Sequence, residues 1–254
     1  MPRFALASIL LLAACSSTSS APDAGVPPDG GLPDGSVPDA GVELVYPLLD
    51  CDPLVPEFCG YPFPSNVYTE PDATTPTGRR VSLGDTFLRG NDPAPWSKSD
   101  GFSAGTSILT FLPGVTGVEL GGPEDIEQSL SESSPTLLLD VETGERVPHF
   151  AEIDIRAPTA EQRSTTIRPV VRLRDDARYI VAIRGLTNDD GATIEPSPGF
   201  AALRDGTDTE EDSIEARRTL YEDIFSHLED VGWDRDEIQI AWDFNTASDE
   251  NNTA

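Results

Sequence analysis

The sequence contains few basic and few metal-ligating side chains. Only one of its 17 basic residues, Lys98, is a lysine, against 45 acidic residues, and the formal net charge is −28. This balance excludes a nucleic-acid binder that relies on neutralising phosphates. With only two histidines and three cysteines, the chain offers no zinc ligand set, and we expect no bound cofactor.

Long apolar runs are also missing. The apolar run at 4–12 is too short for a bilayer, which needs about 20 apolar residues. Arg3 precedes the run and two alanines follow it, which is the form of a secretory signal peptide over residues 1–14. The sequence Leu-Ala-Ala-Cys at 12–15 resembles the bacterial lipobox, and this resemblance implies that Cys15 is acylated and becomes the new N-terminus. A plain secreted protein with an incidental early cysteine is the alternative.

Acylation of Cys15 makes the membrane the expected partner of the protein. One acyl chain holds a protein only marginally, at about 0.8 kcal/mol per buried methylene, so several chains are needed for durable attachment. Ser16 follows the cysteine, and the sorting rule of such lipoproteins then implies outer-membrane delivery. We therefore expect an exported protein that is anchored by lipid in the cell envelope, with its ligand or protein partner undefined.

Residues 15–42 predict a disordered linker behind the anchor. The segment consists mainly of Ser, Pro, Asp, Gly, Ala and Val, and a loose Pro-Asp-Gly/Ala repeat recurs at 22–25, 28–31, 33–36 and 38–41. Since no apolar face is present to bury, we interpret the segment as a mobile, partly polyproline-like spacer. A calcium-binding array is the weaker alternative, because each unit contains proline and the glycine-aspartate nonapeptide is missing.

The folded part is expected to begin with an irregular segment at 43–105. Cys51 and Cys59 are the only cysteines after the linker. Because exported proteins meet an oxidising compartment, a disulfide between them is favoured over metal binding. The aromatic and proline-rich sequence at 61–66 follows, and we expect this whole segment to lie over a neighbouring core.

Period-two alternation predicts a mainly β body over 106–248, followed by a tail at 249–254. Predicted strands lie at 107–112, 136–141, 151–155, 165–171, 179–183 and 238–245. A short helix is expected at 123–130, and a C-terminal amphipathic helix at about 208–231 is expected as an insertion. Short strands at this spacing indicate an Ig-like antiparallel β-sandwich.

Two stretches carry a resemblance to known families. Residues 164–191, with Pro169, a Tyr179-led strand and the Asp-Gly turn at 190–191, resemble bacterial Ig-like domains of the S-layer type. A wider likeness, from Cys51 through 241–248, is to the N-terminal module of large secreted myxobacterial and actinobacterial proteins. In those proteins a lipase- or esterase-like α/β-hydrolase domain follows. The resemblance implies either a stand-alone module or a truncated relative of such a protein.

A hydrolase motif is present, but its surroundings do not fit. The sequence Gly-Phe-Ser-Ala-Gly at 101–105 matches the nucleophile elbow, which makes Ser103 and His227 candidate catalytic residues. That elbow needs a buried strand before the serine and a helix after it. Here a Pro/Asp-rich stretch precedes Ser103 and a predicted strand follows, so a chance turn is the favoured interpretation.

Two acidic turns contain candidate calcium ligands. Asp189, Asp190, Asp205 and Asp208 could offer oxygen atoms, but neither stretch has EF-hand spacing, and ordinary turns are favoured.

Taken together, these features of the sequence predict a non-catalytic Ig-like accessory or binding module. The alternatives are a serine ester hydrolase using Ser103, and an adhesion or carbohydrate-binding module that uses exposed aromatics such as Trp96 and Trp233.

Overall fold

The computed structural model describes residues 44–159 and 162–252. The expected signal peptide, Cys15 and the linker lie outside the described residues. The described chain is mainly β and forms three antiparallel sheets, which confirms that part of the predicted fold class. It has eight strands: β1 Thr69–Pro71, β2 Arg79–Val81, β3 Ile108–Phe111, β4 Thr136–Asp140, β5 His149–Ile153, β6 Ser164–Pro169, β7 Arg178–Arg184 and β8 Ile238–Asn245.

The strands pair in three separate groups. β1 and β2 form a hairpin, β6 lies between β3 and β5, and β7 lies between β4 and β8. All six predicted strands are present, and the alternating stretch at 238–245 coincides with β8. The turns expected at 143–144 and 190–191 are present as well, with both glycines at positive φ.

The helices differ from the prediction. The described residues form α1 Asp85–Leu88, α2 Pro198–Asp205, α3 Asp212–Glu215, α4 Arg218–Asp230 and α5 Asp249–Asn252. The helix predicted at about 208–231 forms in two parts, α3 and α4, because Arg217 departs from helical geometry at φ −97° and ψ 1°. At 123–130 only a 3₁₀ helix forms, over Ile126–Leu130. The expected tail contains α5.

α2 was not predicted, although both of its ends carry good helix signals. The Ser197 hydroxyl accepts a hydrogen bond from the backbone N–H of Phe200 at 3.2 Å, and Pro198 occupies the first turn. Gly206 ends the helix at φ +66°, where a glycine is favoured. With only eight residues, α2 is too short for its apolar spacing to stand out.

β8 is buried on both faces by contacts with other parts of the chain. On one face, Arg178 of β7 joins Asp243 of β8 to Asp223 of α4 through two 2.6 Å contacts. Successive side chains of a strand point to opposite faces, so the neighbouring Trp242 points away from α4. Its indole N–H donates to the backbone oxygen of Pro64 at 2.8 Å. The strand is therefore enclosed by α4 and by the N-terminal segment.

The two three-stranded sheets are linked by the β4–β5 connection. The backbone N–H of Val147 donates to Leu138 in β4 at 2.8 Å, before the chain enters β5. The Thr136 hydroxyl of β4 then meets Nε2 of His149 in β5 at 2.9 Å. Side chains from both sheets and from α2 and α4 belong to one buried apolar cluster.

Residues 44–105 are mainly irregular, as expected, but buried polar contacts attach them to the body. The Tyr46 hydroxyl donates to Asp243 at 2.8 Å. Burial and the nearby Asp243 carboxylate raise the pKa of Tyr46 far above its usual value, so the hydroxyl stays a donor. Asp52 pairs with Arg217 through two contacts of 2.9 and 3.0 Å, and both side chains are almost completely buried.

We expect His149 to make the fold sensitive to mild acid. The imidazole is buried, with Nδ1 2.8 Å from the Val147 carbonyl oxygen and Nε2 beside the Thr136 hydroxyl. Burial lowers its pKa below 6.5, although the backbone hydrogen bond to Val147 opposes this shift. Below pH 6.5 the unfolded chain then binds more protons than the folded chain, so stability falls as the pH falls.

The effect of His149 is measured by chemical denaturation between pH 7.5 and 5. Relative to a His149→Gln variant, the wild type should lose up to about 2 kcal/mol of unfolding free energy between pH 6.5 and 5. His227→Gln is the control for removing an imidazole from the surface of α4. Parallel pH profiles for wild type and His149→Gln would contradict the assignment.

Candidate functional site

A cleft of about 690 Å³ opens where the N-terminal segment meets β3 and β6. Its apolar wall consists of Phe58, Tyr61, Phe63, Phe87 and Leu109. Its polar rim includes Glu57, Arg89, Asp154, Gln162 and Ser164. We refer to this site as the aromatic cleft. Its volume lies in the range of small-molecule binding sites.

A disulfide fixes the first wall of the aromatic cleft. Cys51 and Cys59 are joined, with their Cα atoms 4.4 Å apart, which confirms the predicted disulfide. The loop that they close contains both Glu57 and Phe58. It folds in tight turns, in which the Val55 N–H donates to Asp52 at 3.0 Å and the Phe58 N–H donates to Val55 at 3.3 Å. The disulfide therefore restricts the position of the Phe58 ring.

The second wall depends on a glycine and on a short strand contact. Phe63 and Leu109 exchange two backbone hydrogen bonds of 2.8 and 2.6 Å, which hold Phe63 along β3. Gly60 has φ +92°, and a Cβ atom there would lie 2.8 Å from the Phe87 ring. Glycine is thus required at position 60 both by its backbone and by the close approach of Phe87.

Buried rings support the exposed rings from behind. Phe58 packs edge-on against Phe111 at 4.7 Å between ring centroids, and Phe63 packs edge-on against Phe102 at 5.4 Å. Phe87 contacts Tyr68 at 5.8 Å. The three supporting side chains are all buried. A ligand would therefore meet an aromatic surface that is already ordered, which lowers the entropy lost on binding.

The rim of the aromatic cleft contains charged groups that are free to bind a ligand. In the described part of the chain, neither the Arg89 guanidinium nor the Glu57 carboxylate has a hydrogen bond or an ion pair. Arg89 also has φ +51°, a left-handed backbone that is uncommon for a non-glycine residue. Strained backbones of this kind cluster at functional sites.

A larger groove of about 800 Å³ is less suited to a specific ligand. No aromatic ring lines it, and its arginines are already paired. Arg184 contacts Glu237 at 3.1 Å and Arg204 contacts Asp205 at 2.7 Å. A ligand there would have to replace existing ion pairs and would gain little apolar contact, so the aromatic cleft is the better candidate site.

The structure gives Ser103 and His227 separate surroundings. The exposed Ser103 hydroxyl accepts a hydrogen bond from the Gly105 N–H at 3.2 Å, within its own turn. The chain then enters β3 and not a helix. His227 lies on α4 with Nε2 3.7 Å from Asp223. The hydrogen bonds of the described residues do not join the serine to the histidine.

The four aspartates considered as calcium ligands lie in ordinary surroundings. Asp189 and Asp190 are exposed in a turn in which the Asp190 N–H donates to the Asn188 side chain at 3.0 Å. Asp205 pairs with Arg204, and Asp208 is exposed. Across 44–159 and 162–252, the His, Cys, Asp and Glu side chains form no group of three or more that could hold a metal ion.

The two tryptophans proposed as a binding surface differ in exposure. Trp96 is 44% exposed in its proline-rich loop. Trp233 is completely buried, and the Arg184 guanidinium covers its ring at 4.2 Å. The expectation of an exposed Trp233 is therefore wrong, because the residue that follows the Gly232 turn folds back into the core.

Comparison with known proteins gave no relative. No family model, curated protein or solved structure matches the chain. None of the helices in the described ranges is long and apolar enough to cross a bilayer. The chemistry of the aromatic cleft is therefore the basis for a functional assignment. The sequence alone did not single out Phe58, Phe87 or Arg89, and the local trace of the cleft is three aromatic residues within 58–63.

Proposed function

We propose that this chain is an exported lipoprotein whose folded body is a non-catalytic binding module. Residues 1–14 direct export, Cys15 carries the acyl chains that anchor the protein in the outer membrane, and residues 15–42 separate the body from the lipid. By its resemblance to modules that accompany lipase-like domains, the body serves as an accessory domain that holds a ligand at the aromatic cleft.

One observation carries this proposal. The aromatic cleft combines preordered rings with charged groups that have no partner within the described chain, notably Glu57 and Arg89. Convergent polar groups beside an apolar wall are the typical composition of a small-molecule site.

We also propose that the two three-stranded sheets form an Ig-like sandwich. Antiparallel pairing within each sheet, a shared apolar cluster and the Thr136–His149 contact between β4 and β5 support this assignment. Sheets that pack face to face fill the space between them with alternating inward side chains. The helices α2 and α4 then cover the outer face of the sheet that contains β8.

Fragment binding and ester hydrolysis together test the proposed function. The mature acylated protein in lipid nanodiscs is screened by ¹⁹F NMR against single-ring neutral, cationic, anionic and hydroxylated fragments. The ¹⁹F signals of fragments that bind the wild type should broaden. This broadening should disappear with Phe58→Ala and should persist with Trp96→Ala, which removes an exposed ring outside the cleft. Fragments that bind both variants equally would contradict a site in the cleft.

Hydrolysis of p-nitrophenyl butyrate tests the proposal that the body is non-catalytic. We expect no turnover above that of empty nanodiscs. Turnover by the wild type that disappears in Ser103→Ala would contradict the non-catalytic binding module and support a serine ester hydrolase.

A further inference from the structure

The rings of the aromatic cleft form two separate pairs. Phe58 and Tyr61 lie 6.2 Å apart between centroids with planes tilted by 48°, and Phe63 and Phe87 lie 5.6 Å apart with planes tilted by 38°. All four rings are at least partly exposed. Two ring pairs along one opening offer aromatic contacts at two places, which favours a ligand with more than one ring-sized unit.

The rim offers hydrogen-bond donors and acceptors side by side. Glu57 and Asp154 supply carboxylate oxygens, Arg89 supplies a guanidinium, and Gln162 supplies an amide. One oxygen of Asp154 accepts the Arg156 N–H at 2.9 Å, which leaves the other for a ligand. A hydroxyl group satisfies both kinds of partner, because it donates one hydrogen and accepts through two lone pairs.

Charge and hydrogen bonding argue against ionic ligands. The net charge of −28 repels anionic polymers, and Glu57 and Asp154 add to this repulsion within the cleft. A quaternary ammonium centre would suit the rings and the two carboxylates, but it has no N–H to donate to them and no acceptor for Arg89. A neutral ligand that carries both donors and acceptors meets neither difficulty.

Two classes of neutral ligand leave polar groups unpaired. A purely apolar ligand would remove water from the charged rim and would not replace the hydrogen bonds that the rim makes to that water. A proline-rich segment also docks on aromatic grooves, but it has few N–H donors for Glu57 and Asp154. A sugar ring presents polarised C–H groups to the negative face of an aromatic ring and hydroxyl groups along its edge.

We propose that the aromatic cleft binds a short neutral oligosaccharide, with sugar rings on the Phe58–Tyr61 and Phe63–Phe87 pairs and hydroxyl groups on the charged rim. This inference rests on the proposed function, since it requires that the cleft be a binding site. A volume of about 690 Å³ accommodates a few linked sugar rings and exceeds the needs of a single one.

The backbone of Arg89 gives a second support. Its N–H donates to Asp85 at 2.7 Å at the end of α1, in a left-handed conformation that a glycine would adopt without strain. Gly90 follows directly and is also at positive φ. A guanidinium retained on a strained backbone is consistent with a role in contacting a ligand.

Calorimetric titration of the mature protein in nanodiscs tests the ligand class. The neutral probes are tetrasaccharides of the cello-, xylo-, manno- and chito- series. The competing probes are a tetragalacturonate for anions, choline for quaternary ammonium ions and a ten-residue polyproline peptide. We expect at least one neutral tetrasaccharide to bind more tightly than all three competing probes.

Variants locate the site. Phe58→Ala should weaken binding of the neutral tetrasaccharide by at least about tenfold, while Trp96→Ala should change it by less than about twofold. Arg89→Gly removes the guanidinium and relaxes the backbone, so it should weaken binding without lowering the melting temperature. This variant keeps the test decisive if Phe58→Ala unfolds.

The outcomes separate the two proposals. If fragments bind at the cleft but no neutral tetrasaccharide does, or a competing probe binds more tightly, the oligosaccharide assignment is overturned and the binding module remains. If a tetrasaccharide binds equally to wild type, Phe58→Ala and Arg89→Gly, the cleft is not its site and the assignment is overturned as well. If neither fragments nor sugars respond to Phe58→Ala, both proposals fail.

Discussion

Asp52→Ala should lower the free energy of unfolding by about 3–5 kcal/mol. The side chains of Asp52 and Arg217 are 0% and 1% exposed and meet through two contacts of 2.9 and 3.0 Å. Arg217 also donates through Nε to the Ser213 carbonyl at 3.0 Å. Removing the carboxylate leaves a buried guanidinium without its counter-charge, which is much more costly than losing an exposed pair. Guanidinium chloride denaturation measures the effect.

An exposed ion pair supplies the matched control. Glu152 and Arg168 contact each other at 2.8 Å, but their side chains are 48% and 44% exposed. Glu152→Ala should therefore lower the unfolding free energy by less than about 1 kcal/mol. The double variant Asp52→Leu/Arg217→Met should recover most of the stability lost in Asp52→Ala, since an apolar pair of similar volume avoids the desolvation penalty. Equal losses for Asp52→Ala and Glu152→Ala would contradict the argument.

Cys15→Ser should move the protein from the membrane fraction to the soluble fraction. The proposed attachment depends on acyl chains on Cys15, and each buried methylene contributes about 0.8 kcal/mol. The rest of the chain has a net charge that anionic headgroups repel, and its described helices include no candidate span. Ultracentrifugation of cell envelopes followed by immunoblotting measures the distribution.

An uncleaved signal peptide could hold Cys15→Ser at the membrane by its apolar run. A second variant, in which residues 1–15 are replaced by a signal peptide with an Ala-x-Ala cleavage site, removes this ambiguity. Ser16→Ala is the control and should stay in the membrane fraction. If the second variant also stays in the membrane fraction, the lipid anchor is not the means of attachment.

Local patterns were enough to predict β3 to β8, but they did not indicate the short strands β1 and β2. β8 follows the alternation of Ile238, Ile240, Trp242 and Phe244, and β7 ends before Gly185 as its turn residue indicates. The alternation does not show that the interior of β7 and nearly all of β8 are buried. The second face carries small side chains such as Ala241 and ion-paired side chains such as Asp243. The residues that they contact lie far away in the sequence.

The break before α4 and the aromatic cleft could not be predicted for the same reason. Arg217 is 165 positions from Asp52. The helical spacing places Arg217 on the packed face of the predicted helix, but it shows neither its buried partner nor the break in its backbone. The cleft brings together the disulfide loop, α1, β3 and the start of β6. Of its four rings, only those of Phe58, Tyr61 and Phe63 are close in the sequence, and their density alone does not define a site.

The buried pair between Asp52 and Arg217 also constrains how this protein can diverge. A substitution of either residue alone leaves an unpaired charge in the interior. Selection should therefore eliminate such single substitutions, even though neither residue contacts the proposed ligand. In any future set of orthologues, positions 52 and 217 should co-vary, either both ionic or both apolar. Glu152 and Arg168 should drift independently.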